Sequence, residues 1–355
     1  MRTNRRIPLV FLTLLLAMTV GASAETMPLS QVKKGMKGYG LTVFEGSRIE
    51  KFDVEILGVL NNIGPSQDLI LAKVDSAVVQ RAGVIAGMSG SPIYIDGKVI
   101  GALAYSWQFA REPVAGITPI DEMLRIPSGA GIGVPQSPGA TPVSAGGGSL
   151  HVAPRMSAIE FLTAITNART EDVFDRMASG FAAQQSSTMS GARPIATPLS
   201  LSSFSADTLA RFGKYLDAMN FVAVPSGSTS SSTGATAAKG KFAPGDPIGA
   251  VLLNGDFTVA ATGTVTHIEG DRIYAFGHPF LDMGEISFPM AQSEIVTVMP
   301  SLANSFKFAN TGAIVGAFTQ DRSVGIMGTV GTSADMIPVE LKLEVSSDVV
   351  DRPLW

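Results

Sequence analysis

The sequence predicts a mainly β protein carrying a small helical insert. Three observations point there: apolar residues alternate along several short runs, turn-forming pairs separate those runs, and helical patterning is confined to the middle of the chain. Residues 25–126 form the first β segment. Its runs include "FDVEILGVL" (52–60), "DLILAKV" (68–74) and "SPIYIDGKVIGALAYS" (91–106). In the last, Asp96-Gly97 between two β runs predicts a two-residue hairpin turn. Residues 127–149 are rich in Pro, Gly and Ser and read as a linker.

Residues 150–225 carry the helical signals. Thr170 before Glu171 and Asp172 reads as one helix start. Ser205 reads as an N-cap, with Leu209, Phe212, Leu216 and Met219 forming a core-facing stripe. Residues 226–241, "SGSTSSSTGATAAKGK", read as a flexible linker. From 242 to 355 the β pattern resumes, with Asn254-Gly255 and Glu269-Gly270-Asp271 between short strands. A further strand is expected at 339–345. A chain stopping so soon after it reads either as a fragment or as a full chain without a tail.

The first 24 residues stand apart. Arg2, Arg5 and Arg6 precede an apolar stretch from Ile7 to Val20, and Ala22-Ser23-Ala24 follows. This is the pattern of a cleaved secretory signal peptide, so the chain is expected in the periplasm or outside the cell, with no stable membrane insertion after cleavage. Loss of the three arginines takes the formal net charge from −4 to −7. An acidic chain with no basic run is a poor partner for nucleic acid. There is no cysteine, so disulfides contribute nothing and stability rests on buried apolar area.

The chemistry concentrates in "AGMSGSPIYI" (86–95). A serine hydroxyl becomes a nucleophile when a base takes its proton and donors stabilise the oxyanion. Gly87 permits a sharp turn, so the amides of Gly87 and Ser89 can converge as an oxyanion hole. Gly90 leaves space for substrate, and Pro92 fixes entry into the next strand. Ser89 is expected at the loop tip and Ser91 facing into the turn. The competing reading is a plain glycine-rich turn whose serines satisfy backbone amides.

A base has to come from His151, His267 or His278. His151 sits at a linker edge, and His267 alternates along a strand just before a turn. His278 follows an apolar strand in "RIYAFGHPF" and stands between Gly277 and Pro279, so a rigid element presents it. The carboxylate that orients it is Asp75, which ends a strand before the serine loop, or Asp282, four residues after the histidine. The three histidines show no metal-ligand spacing, so neither a metal nor another cofactor is expected.

The run "DSAVVQRAGVIAGMSGSPIYIDGKVIGALAYSW" (75–107) resembles the nucleophile segment of the SpoIVB-type serine peptidases, the family of a bacterial sporulation-signalling protease. Ser89 matches the family's nucleophile, and Asp75 matches a family aspartate with one residue's difference in spacing. "KFDVEILGV" (51–59) is similar to the lead-in strand. "RIYAFGHPFLDMGEISFPM" (272–290) sets His278 at the family's catalytic histidine, and "DRSVGIMG" (321–328) is similar to a segment downstream of it.

The resemblance implies a trypsin-like double β-barrel with its site between two β units, and a protein or peptide substrate. In the family the histidine segment precedes the serine segment, so the order here is permuted. No segment reads as the PDZ module of the sporulation members. Two functions follow. The first is a secreted or periplasmic serine endopeptidase with Ser89 as nucleophile, His278 as base, and a substrate strand added along 99–106. The alternative is a non-catalytic envelope module that keeps the scaffold for binding or structure.

Overall fold

Alternation in "FDVEILGVL" places Phe52, Val54 and Ile56 on one buried face, with Asp53, Glu55 and Leu57 outside. The strand containing them is longer than expected and runs through Ile49–Gly64. A computed structural model describes this chain over residues 25–64, 67–127, 191–225 and 241–340, together with Asp175 and Ser179. The signal segment, the 127–149 linker beyond Pro127, His151, the expected helix start at Thr170, the 226–241 linker up to Gly240 and most of the expected strand at 339–345 lie outside the described residues. Val339 and Glu340, which are described, are not strand.

The first barrel is built from β1 (Lys37–Val43), β2 (Ile49–Gly64), β3 (Gln67–Asp75), β4 (Pro92–Ile95), β5 (Lys98–Trp107) and β6 (Val114–Pro119). These pair antiparallel in the order β4-β1-β2-β3-β6-β5, and β5 returns to β4, closing the ring. The hairpin at Asp96-Gly97 forms as expected, with φ of 50° and 78°. Helix α1 (Ala77–Ala82) follows β3, capped by Ser76, whose Oγ accepts the Val79 N–H at 3.1 Å. A short helix, α2 (Ile120–Met123), follows β6. Phe52, Ile70, Val74, Ile93, Leu103 and Ile117 fill the interior.

The stretch read as helical carries strands as well. β7 (Ala192–Pro194) pairs with the far end of β5. β8 (Thr197–Ser202), helix α3 (Ala206–Ala218) and β9 (Phe221–Pro225) follow. Ser205 caps α3 as expected, with its Oγ accepting the Thr208 N–H at 3.2 Å. Leu209, Leu216 and Met219 pack against the second core.

The second barrel comprises β10 (Pro247–Leu253), β11 (Thr258–Glu269), β12 (Arg272–Ala275), β13 (Gly284–Met299), β14 (Phe306–Arg322) and β15 (Gly325–Val330). The order is β10-β13-β14-β15-β12-β11, closed by β10 pairing with β11. β8 extends this sheet along β11, and β9 pairs parallel to β8. Ile248, Val265, Phe276, Met290, Phe318 and Ile326 fill the interior.

Both rings share one connectivity. Counted within each barrel, the ring order is first, second, third, sixth, fifth, fourth. The serine loop lies between the third and fourth strands of barrel one. His278 lies between the third and fourth strands of barrel two. Equivalent connections of the two barrels therefore supply the two groups.

Candidate active site

Residues 86–91 leave α1 and turn into β4 against the face of barrel two. The Thr264 N–H donates to the Ser89 carbonyl at 2.8 Å. Thr264 Oγ1 donates to the Gly87 carbonyl at 2.9 Å, and Thr266 Oγ1 to the Gly90 carbonyl at 2.7 Å. β11 thus holds three carbonyls of the loop. The Gly90 N–H also donates to Leu103, whose own N–H donates to Ser91. Gly90 sits at φ 91°, and a Cβ there would fall inside van der Waals distance of the Thr264 carbonyl and 2.5 Å from the Phe276 nitrogen. Only glycine fits.

The histidine bend touches the same place. Phe276 and Gly277 both hold left-handed φ angles, 68° and 70°, although Phe276 is a buried aromatic in the barrel core. Such a conformation persists where the surroundings over-determine it. Thr118 Oγ1 of barrel one donates to the Gly277 carbonyl at 2.6 Å. A Cβ at Gly277 would press on Ala102 and approach the Leu103 carbonyl. The serine loop and the bend before His278 therefore meet at Leu103 and Phe276, across the seam between the barrels.

His278 is 1% exposed, and its Nδ1 lies 2.7 Å from the Pro279 carbonyl. A carbonyl only accepts, so Nδ1 carries the hydrogen and Nε2 of the neutral ring holds a lone pair. Burial holds the imidazole pKa down to about 4, against the upward pull of the Pro279 bond, so the ring is neutral at pH 7. Its Nε2 has no hydrogen-bond partner, nor do the hydroxyls of Ser89 and Ser91.

Both serines are fully buried. No hydrogen bond joins Ser89 Oγ to His278 Nε2. In the loop backbone, the N–H groups of Ala86, Met88, Gly90 and Ser91 are each taken by a carbonyl, whereas those of Gly87 and Ser89 have no acceptor among the described residues.

Asp75 is not at this meeting point. Thr118 stands opposite Leu69 when the β3–β6 register is continued, and Asp75 lies six residues further along β3. At about 3.3 Å per residue that is roughly 20 Å along the strand. There Asp75 accepts from Gln80 Nε2 at 3.0 Å. Asp282 is exposed in the loop after the histidine, with φ 53°.

A third carboxylate, Asp321, is fully buried at the end of β14. Its oxygens accept the N–H groups of Phe280 (2.9 Å), Leu281 (2.8 Å) and Met283 (3.3 Å), clamping the segment that carries His278. Burial pushes its pKa up, and those three donors oppose the rise. In sequence, its only sign was its place at the head of "DRSVGIMG". Of the other histidines, His267 is buried on β11, 3.9 Å from Glu269. β5 is flanked by β4, β6 and β7, so residues 99–106 have no open edge for an added strand along most of their length.

Lys307 on β14 is a buried amine behind the same loop. Its N–H donates to the Ala86 carbonyl at 3.1 Å, and its stem lies against Gly87. Its Nζ donates to Thr42 Oγ1 at 2.7 Å, and no carboxylate pairs with it among the described residues. Burial lowers its pKa to about 7. Between pH 7 and 10.5 the unfolded chain holds a proton that the fold lacks, so this group makes stability rise with pH. The slope is at most about 1.4 kcal/mol per pH unit. Urea unfolding at pH 7.5 and 9.5 is expected to show this rise in the wild type and not in Lys307→Met. Equal slopes in both would show that Lys307 is charged in the fold.

Two six-stranded barrels meeting at a serine loop and a histidine bend form the frame of a double-barrel peptidase. A family model described as SpoIVB peptidase S55 matches residues 17–124. The resemblance drawn from the sequence is borne out over this stretch, which contains Ser89 and barrel one and excludes His278; the family is one of serine peptidases. No curated protein and no solved structure matches the chain. Among the described residues no helix is long and apolar enough to cross a membrane, and no group of three or more acidic or histidine side chains is placed to hold a metal ion.

Proposed function

We propose that the chain is an exported serine endopeptidase acting through an acyl-enzyme. One observation carries the reading. The serine loop and the bend before His278, equivalent connections of the two barrels, meet across one seam, and the Ser89 hydroxyl and the neutral His278 Nε2 are each buried without a partner, with two backbone N–H groups of the serine loop lacking acceptors among the described residues. Buried polar groups are normally satisfied, and exceptions cluster where a reacting molecule supplies the partner.

In this reading the Ser89 O–H bond breaks as Oγ bonds to the scissile carbonyl carbon, and the proton passes to His278 Nε2. The N–H groups of Gly87 and Ser89 receive the oxyanion. The C–N bond then breaks, and His278 returns the proton to the leaving amine. Water repeats the sequence on the acyl-enzyme and frees Ser89. The Pro279 carbonyl sets the tautomer, the part assigned in sequence to Asp75 or Asp282. Asp321 holds the loop on which the ring rides. Since Ser89 is buried and unbonded to His278, substrate entry requires the serine loop to shift. Export rests on Arg2, Arg5 and Arg6, the apolar run after them and Ala22-Ser23-Ala24.

The same burial, with a carbonyl where a carboxylate would orient the ring, favours a second reading: a scaffold kept for binding without catalysis. A peptidyl aryl phosphonate separates the two. The proposal expects covalent addition mapped by mass spectrometry to Ser89 and absent from Ser89→Ala. A wild-type protein that never labels, or labelling that survives Ser89→Ala, overturns the peptidase reading.

A further inference from the structure

A cleft of about 510 Å³ opens beside the serine loop, between the two barrels. Its size is that of sites that enclose a small ligand or a short stretch of peptide. One wall is α1 and the segment Gly83-Val84 leading towards Ser89. The opposite wall is the β13–β14 turn at Ser301–Ser305. The two walls are joined at the loop itself, where the Ala86 N–H donates to the Ser305 carbonyl at 2.8 Å. A chain lying in the cleft therefore lies beside the loop that carries Ser89.

The lining has a definite chemistry. Arg81 comes from α1, Arg111 from the β5–β6 connection and Arg193 from β7. None of the three makes an ion pair among the described residues. Two carboxylates also line the cleft, Glu112 and Asp217. Glu112 is already paired with Lys73 at 2.9 Å, which leaves Asp217 against three guanidinium groups. The cationic excess stands out in a chain whose formal net charge is −4. Two exposed apolar side chains stand among the polar residues of the lining. Phe109 is 76% exposed and held at φ 60°, and Leu302 of the β13–β14 turn is 99% exposed. A bulky residue in the left-handed region is uncommon, and here the turn closed by the Ala110 N–H on the Trp107 carbonyl at 3.3 Å holds the ring out on the rim.

We propose that this cleft is a substrate subsite for an acidic stretch of polypeptide, with an apolar side chain between Phe109 and Leu302 and flanking Asp or Glu carboxylates on Arg81, Arg111 and Arg193. Guanidinium groups suit carboxylates because their planar fork donates two parallel hydrogen bonds. That the occupant is a substrate rests on the peptidase reading; the preference for acidic polypeptide does not.

Binding is measured on full-length Ser89→Ala protein, which cannot cleave the probe. The probes are a fluorescein-labelled heptapeptide with Asp and Glu flanking a central Phe, and its Asn/Gln counterpart, followed by anisotropy. The acidic peptide is expected to bind at least tenfold more tightly at low salt. That ratio is expected to fall towards one in the Arg111→Gln/Arg193→Gln double variant, whose changed side chains are exposed, and to shrink in 0.5 M salt. Equal binding of the two peptides, binding of neither, or a ratio that survives the double variant overturns the subsite. Wild-type hydrolysis of the same peptides tests the peptidase reading separately. Acidic preference without cleavage keeps the cleft and rejects the peptidase, whereas cleavage without acidic preference does the reverse.

Discussion

Replacing His278 with alanine is expected to lower peptide hydrolysis by about 10⁶-fold, the scale at which a serine peptidase loses activity when its nucleophile or base is removed. Ser89→Ala is expected to give a similar loss, and the double variant no more, because the two groups act in one step. The side chain at 278 is buried, so folding is checked by circular dichroism for each variant. Asp321→Asn separates orientation from chemistry. It keeps the shape but turns an amide donor towards N–H groups at Phe280, Leu281 and Met283 that now meet a carboxylate. The loop is expected to shift, and a displacement of about 1 Å costs on the order of 10²-fold in rate. Retention of more than a tenth of wild-type activity in His278→Ala would remove the histidine from the mechanism.

Gly90→Ala is expected to destabilise the fold by about 4 kcal/mol or more. Two costs combine. The backbone angle of 91° disfavours any L side chain, and the added carbon meets the Thr264 carbonyl and the Phe276 amide, neither of which can rotate away. Gly97→Ala isolates the first cost. Its φ is 78°, yet no atom stands within 4 Å of the new carbon, so a loss of only about 1–2 kcal/mol is expected. Urea denaturation of the two variants compares them directly. Similar losses at both positions would mean that the seam between the barrels has slack.

Local signals carried much of this fold. The alternation of Phe52, Val54 and Ile56, the Asp96-Gly97 turn and the Ser205 cap are each written within a few residues, and each forms as expected. Closure of the rings is not local. β3 must pair with β6 some forty residues away, and no periodicity specifies that partner. The strands β8 and β9 were hidden for another reason: "TPLSLS" and "FVAVP" are short, include proline and flank a strong amphipathic helix. Proline is tolerated there because β9 closes no ring and the β8 proline lies near the strand's start. In the site, the glycines around Ser89 and the Gly-His-Pro setting of His278 were legible because the chemistry constrains short motifs. Asp321 was not, because a buried carboxylate clamping a loop 40 residues away looks in sequence like any strand-end aspartate.

The seam also has a timetable. Thr264, Thr266 and Phe276, which cover the serine loop, follow it by roughly 175–190 residues. At synthesis rates of about 5–20 residues per second, barrel one, whose last strand ends at Pro119, is complete for roughly seven to thirty seconds before its cover exists. Through that interval the carbonyls of Gly87, Ser89 and Gly90 have only water to meet them. The serine loop reaches its final shape late in the life of the nascent chain, when barrel two closes over it.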